Sequence, residues 1–226
     1  ALLLVLGSLL TLRRPASRDR MGVRDGLFVV GTSWVVLSLF GMLPFILSGA
    51  IPHPVDAFFE TVSGFTTTGA SILSDVEALS HVSLFWRSFT HWIGGMGVLV
   101  FVLAVVPLNG GSHINLMRAE SPGPSVGKLV PRLRYTARIL YVIYIVMTMI
   151  QIVLLLLGGM ELFDSVTLSF GTAGTGGFSN YAASIGHFQS PLIDWITTIF
   201  MIIFGVNFAL YYKLITGNGK EVLRCE

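Results

Sequence analysis

Charge is scarce in this chain. Only 12% of its 226 residues are Asp, Glu, Lys or Arg, while 53% are hydrophobic. Soluble domains carry about 25% charged residues. A dissolved globular domain is therefore excluded, and the lipid bilayer becomes the natural solvent. Cysteine is nearly absent: Cys225 stands alone near the end, which excludes a disulfide framework and a cysteine metal site. The histidines, His53, His81, His91, His113 and His187, show no metal-ligand spacing. The apolar run at residues 1–12 lacks the basic start of a signal peptide. It is too short to span and reads as the end of a truncated transmembrane helix, so both ends of the chain look like cut points in a longer sequence.

What is present is a series of apolar segments. Leu27–Leu47 is about 21 residues, roughly 31 Å as a helix and enough to cross a bilayer. Val82–Pro107, Ile139–Gly158 and Leu192–Ile215 are three more. Between the first and second, and between the third and fourth, lie Asp56–Ser71 and Asp164–Ser179. Each begins as a helix and ends in Thr and Gly; at roughly 12 helical residues they fit re-entrant segments. All but Arg87 of the 14 Lys and Arg fall in the loops and tail on one side of these spans, which the positive-inside rule assigns to the cytoplasm. The other side carries Asp56, Glu60, Asp75, Glu77, Glu161, Asp164 and Asp194. An acidic mouth would concentrate cations; the plainer reading is that acids are simply free to lie on either side.

A shift of 108 residues lays one half of the chain on the other without a gap. Asp56 falls on Asp164, Thr67 on Thr175, Gly69 on Gly177 and Ser71 on Ser179. The repeated unit is helix, re-entrant helix, Gly-containing loop, helix, and membrane proteins build central pathways from such repeats. The expected architecture is all-α and membrane-embedded, with tandem helix–pore-loop–helix units. Its divisions are a truncated helix and basic loop at 1–24, a first repeat at 25–108, a cytoplasmic linker at 109–132, a second repeat at 133–216 and a tail at 217–226. The loops are Thr66-Thr67-Thr68-Gly69-Ala70-Ser71 and Gly174-Thr175-Gly176-Gly177-Phe178-Ser179. A dehydrated cation needs oxygens to replace its water, and potassium filters supply them from backbone carbonyls of strands such as T-V-G-Y-G. Glycine permits the necessary dihedrals at least cost. The competing reading is that these small residues only pack helices closely; two such loops at one offset, each after a short helix, favour the pore.

The stretch Phe58-Phe59-Glu60-Thr61-Val62-Ser63-Gly64-Phe65-Thr66-Thr67-Thr68-Gly69-Ala70-Ser71 resembles the first filter region of the Trk/Ktr/HKT superfamily of cation transporters, and most of all its bacterial TrkH type. His91-Trp92-Ile93-Gly94-Gly95-Met96-Gly97 is similar to that family's next helix, and Ala119-Glu120-Ser121-Pro122-Gly123-Pro124 to its first cytoplasmic connection. The resemblance implies four repeats around one pore, of which this sequence supplies two. It implies potassium as the transported ion, coordinated by carbonyls of Thr67, Thr68 and Gly69 in one quadrant and Thr175, Gly176 and Gly177 in the next. A serine in place of Gly69 goes with sodium transport in the superfamily, so the glycines favour potassium. It further implies a multi-pass protein of the inner (plasma) membrane, a homodimer, and a cytosolic nucleotide-binding regulatory subunit of the TrkA/KtrA kind. No organic cofactor and no nucleic acid partner is expected.

Two rivals remain. One is a sodium-conducting relative. The other is an intramembrane serine protease built on Ser63 and His91, which the absence of a glycine two residues before Ser63 disfavours, since Thr61 stands there. Ser63 is expected instead to satisfy a helix backbone group. Arg87 is expected to pair with Glu60, Asp75 or Glu77. Trp34, Trp86, Trp92 and Trp195 read as interface anchors, Gly94, Gly95, Gly97 and Gly205 as helix-packing glycines, and Pro44 as a tolerated kink.

Overall fold

The computed structural model describes residues 23–97, 133–206 and 208–215. Every regular element among them is a helix. The expected cytoplasmic linker and nearly all of the expected N-terminal segment lie outside the described residues.

Helices α1 (Val23–Gly41) and α2 (Leu43–Leu47) form the first apolar segment. Pro44, with no N–H to donate, stands at the start of α2 and kinks the run there. The Met42 N–H still reaches the Ser38 carbonyl at 3.0 Å, so the path continues across the bend. Next come α3 (Pro54–Phe65) and α4 (His81–Gly95). From residue 133 on, α5 (Leu133–Leu157) is followed by α6 (Leu162–Ala173), a 3₁₀ turn at Ser184–Phe188, α7 (Pro191–Gly205) and α8 (Phe208–Ile215). Among the described residues, the stretch Arg138–Leu157 of α5 is the one helix long and apolar enough to cross a membrane unaided.

The short helices α3 and α6 have 12 residues each, about 18 Å, well under a bilayer core of about 30 Å. Both of their ends coincide under the 108-residue shift. The gapless register does not extend to their flanks, where the offset is 110: α2 ends at Leu47 and α5 at Leu157, and α4 begins at His81 and α7 at Pro191. Six residues lead into α3 but four into α6, and the loop that follows α6 is longer because it contains the 3₁₀ turn.

The last span also departs from expectation. Leu192–Ile215 is not one helix: Val206, at ψ 140°, is extended and separates α7 from α8. A carbonyl released at such a break needs a new donor. The Ile203 carbonyl takes two, the Val206 N–H at 3.2 Å and the Tyr211 hydroxyl at 2.7 Å. Asn207 lies outside the described residues.

The core sits around α6, which packs against α4, α5 and α7, whereas α3 packs against α1, α2 and α4. Phe85, Phe89 and Trp92 of α4 all meet the Phe170 ring of α6 at 5.4–5.9 Å between centroids. Trp92 also donates to the Thr148 hydroxyl at 3.2 Å and Trp86 to the Gly41 carbonyl at 2.9 Å, so both indoles tie α4 to neighbouring helices. Trp195 is exposed, as an anchor would be. Val142, Met149 and Val153 of α5 and Met201 and Ile202 of α7 are at least half exposed. Apolar surface of that kind is stable against lipid and costly against water.

Candidate functional site

Each short helix ends in the same unusual turn. The Thr67 N–H donates to the Gly64 carbonyl at 3.0 Å and the Thr68 N–H to the Ser63 carbonyl at 2.9 Å. These two bonds form a Schellman motif, whose αL position is normally glycine. Here Thr67 holds it, at φ 53°. The second loop repeats the arrangement: Thr175 donates to Thr172 at 2.9 Å, Gly176 to Gly171 at 3.2 Å, and Thr175 has φ 55°. A β-branched residue at positive φ is a genuine outlier, and strain of this kind persists only where its surroundings impose it. Two residues on, Gly69 and Gly177 are again left-handed, at φ 77° and 83°. Alternation of left- and right-handed residues turns successive carbonyls of a strand to one side, and glycine makes it at low cost.

The two loops meet. A Cβ built on Gly69 would fall onto the carbonyl oxygen of Gly176. Thr67, Gly69 and Gly176 are half-buried, and Thr68, Thr175 and Gly177 are exposed. The structure therefore brings the two predicted triplets to one place. Their helices reach that place because α4 is wedged between them. A Cβ on Gly94 would strike the Phe65 carbonyl at the end of α3, and one on Gly95 would lie 2.7 Å from the Gly174 Cα at the end of α6. Neighbouring glycines thus let α4 touch both helix ends at backbone distance, the packing role expected of them. Gly205, at the matching point of α7, has nothing within 4 Å of its Cβ position, and Gly97 is a positive-φ turn residue.

Behind the loops lies a polar layer. Glu60, fully buried on α3, accepts from the Ser71 hydroxyl and the Ile72 N–H at 3.0 Å each. Arg87 of α4 donates to Glu60 at 2.5 Å through Nε and to the Ser179 carbonyl at 2.9 Å through a terminal nitrogen. Its guanidinium lies over the Phe178 ring, 3.6 Å from the centroid. His91, one turn further along α4, also stacks on Phe178: the two rings are 3.9 Å apart, and the His91 Nδ1 accepts the Phe178 N–H at 3.4 Å. Glu60 is thus the partner of Arg87, out of the three acids expected to compete for it. In the second repeat, Asn180 donates to Asp164 at 2.8 Å and to the Thr167 hydroxyl at 2.6 Å, and the Tyr181 hydroxyl donates to Asp164 at 3.0 Å. Desolvation, then the Asp164 bond, push the Tyr181 phenol above its ordinary range, so it stays a donor.

One sequence signal does point to this layer: Arg87 and His91 are one turn apart and share a face of α4. The strained threonines have none, since threonine has no preference for positive φ. Ser63 does not fulfil its expected role: its hydroxyl is buried with no hydrogen-bond partner. Neither do the Ser63 hydroxyl and the His91 ring form a nucleophile–base pair, because that hydroxyl has no hydrogen-bond partner and the His91 Nδ1 accepts the Phe178 N–H. No group of three or more metal-ligating side chains occurs among the described residues.

This backbone, with paired left-handed loops behind short helices in an apolar shell, has known counterparts. A family model described as TrkH, cation transport protein, matches residues 1–225. The chain belongs to the TrkH family. It is 40% identical over 221 residues to the Trk system potassium uptake protein TrkH of Escherichia coli (strain K12), covering 97% of this chain and 46% of that one. It is 37% identical over 199 residues to the Trk system potassium uptake protein TrkG of the same strain, covering 87% and 41%. The crystal structure of the potassium transporter TrkH from Vibrio parahaemolyticus matches with a TM-score of 0.77 at 34% identity, over 97% of this chain and 44% of that one. The chain thus spans less than half the length of these relatives. The family is one of transporters and not of enzymes, which removes the protease reading.

Proposed function

We propose that the full-length protein carrying this chain takes up potassium across the inner (plasma) membrane as a multi-pass Trk-type subunit. The observation that carries the reading is the pair of loops in contact at Gly69 and Gly176, each entered through a left-handed threonine and each holding a left-handed glycine. Carbonyls of Thr67, Thr68 and Gly69 form one quadrant of a potassium filter, and those of Thr175, Gly176 and Gly177 the adjacent one. Two quadrants leave an ion half-coordinated, so two further loops complete the ring. The open face at Gly205 is where a third short helix would pack, as Gly95 packs on α6. The end of a helix carries partial negative charge on its carbonyls, and α3 and α6 both direct that end to the loops, which favours a cation.

The division into two repeats at 25–108 and 133–216, joined by a cytoplasmic linker at 109–132, belongs to the same reading, as do a homodimer and a cytosolic nucleotide-binding regulator of the TrkA/KtrA kind meeting the basic cytoplasmic side. No organic cofactor takes part. The test is growth at limiting potassium. The full-length gene should restore it, with rubidium uptake, in a strain lacking its own potassium uptake systems. Sodium uptake without rubidium uptake would instead support a sodium-conducting relative, for which glycine at 69 and 177 is the opposing observation.

A further inference from the structure

Arg87 stands apart from every other basic residue. It is alone on its side of the membrane pattern, it is buried, and at the matching point of α7 the chain has Thr197. Its bonds run across the repeat boundary. Through Glu60 it reaches Ser71 and Ile72, just beyond the first filter triplet. Through its own terminal nitrogen and its flat face it reaches Ser179 and Phe178, just beyond the second. One ion pair therefore holds both loops from behind, through residues that follow the six predicted coordinating ones.

We propose that Arg87 and Glu60 are positioning residues that fix the separation of the two filter loops and so set the preference for potassium over sodium. The proposal rests on the filter reading above. A carbonyl filter discriminates through the spacing, number and field of the oxygens it presents, so a selective filter needs something to hold its strands in place. Charge-assisted hydrogen bonds are short and directional, and low dielectric strengthens them. Arginine suits the task because its planar fork can bond Glu60 and Ser179 in the plane while its face covers an aromatic ring. Lysine keeps the charge but cannot do all three. If the pair served only to fasten α4 to α3, its loss would lower stability and leave ion preference untouched.

The experiment uses the full-length transporter in a strain without its own potassium uptake, with rubidium and sodium uptake normalised to membrane abundance. Four variants are compared: Arg87→Lys, Glu60→Gln, Trp86→Phe and Gly177→Ser. Trp86→Phe removes a hydrogen bond from the same helix that does not reach a filter loop. Gly177→Ser perturbs the filter itself at a position where a Cβ meets nothing within 4 Å. Arg87→Lys and Glu60→Gln should each lower the rubidium-over-sodium preference about tenfold, the scale of one charge-assisted hydrogen bond, and Trp86→Phe should leave it unchanged. Wild-type preference in Arg87→Lys alongside lost preference in Gly177→Ser would overturn the positioning role and leave the filter standing. Unchanged preference in both, at normal abundance, would remove the filter assignment and the positioning role with it. Failure of both Arg87→Lys and Glu60→Gln to accumulate would mark the pair as a folding element and equally overturn the proposal.

Discussion

Helices α3 and α6 deliver the same backbone into different surroundings. Their ends, their terminal hydrogen bonds and their left-handed residues coincide under one shift of 108. What stands behind the loops does not. Beneath the first loop is a buried carboxylate, Glu60; the matching residue of α6 is Leu168. Beneath the second is a cluster built on Asp164, one turn earlier in the helix, with Asn180, Thr167 and Tyr181 around it. The difference separates two kinds of constraint. The backbone path is common to both loops, and the side chains behind it differ while each loop is still held.

The largest expected effect comes from breaking that difference at its charged end. Glu60→Leu would leave Arg87 buried without its counter-ion, a situation that costs about 3–5 kcal/mol, and would release both loops at once. Asp164→Leu removes a less enclosed acid whose partners are neutral, and should cost about 1–3 kcal/mol, the range for buried polar groups left unsatisfied. The ranking is measured by thermal unfolding of the purified full-length variants. Equal losses would mean that the two supports are interchangeable and that the Arg87 contact adds nothing to Glu60.

Gly69→Ser and Gly177→Ser form the next pair. Both positions have positive φ, so both variants carry about 1–2 kcal/mol of backbone strain. Only at Gly69 would the new Cβ also meet the neighbouring loop, at the Gly176 carbonyl. Gly69→Ser should therefore lower the rubidium-over-sodium uptake ratio by more than Gly177→Ser does, because it displaces a carbonyl of each loop rather than one. A larger loss in Gly177→Ser would place the tighter constraint in the second loop, against the close approach at Gly69.

Much of this comparison is legible in the amino-acid sequence. The short helices are legible because Thr- and Gly-rich loops bound them and because they recur at a fixed offset. The matched Thr and Gly of the two loops are legible from the same recurrence, and their meeting at Gly69 and Gly176 is what the structure adds. The two-residue slip at the flanks is not, because apolar helix ends can shift by a fraction of a turn without changing the pattern of hydrophobic residues. The break at Val206 is marked only by Gly205 and Asn207 on either side of it, residues that in an apolar run read equally well as helix-packing or interhelical ones. Arg87 is visible as an oddity, but its choice of Glu60 over Asp75 and Glu77 depends on how α4 rotates against α3, which is a tertiary fact.

The smallest expected effect lies in the strained threonines, and it tests whether the strain serves the ion. Thr67 and Thr175 both occupy the αL position of a helix-ending turn, where a non-glycine residue costs about 1–2 kcal/mol. Replacement by glycine removes that cost and adds about 0.5–1 kcal/mol of unfolded-state entropy to be lost on folding. The balance is a gain of between zero and about 1.5 kcal/mol. The two sites should not gain equally. The Thr67 methyl lies against α4, 3.0 Å from where a Cβ on Gly94 would be, so glycine there forfeits packing. Thr175 is exposed. Thr175→Gly should therefore be the more stable of the two variants by thermal unfolding, while Thr67→Gly stays near the parent. Both should lose part of their ion preference, because a glycine can leave the left-handed region and let the following carbonyls turn away, which threonine clamped between its turn bonds and the next strand residue does not. A Thr175→Gly variant that is less stable than the parent would show that the turn is not strained. One that is more stable and equally selective would show that the strain has no part in holding the carbonyls, and the repeated φ of 53° and 55° would then be a feature of the turn alone.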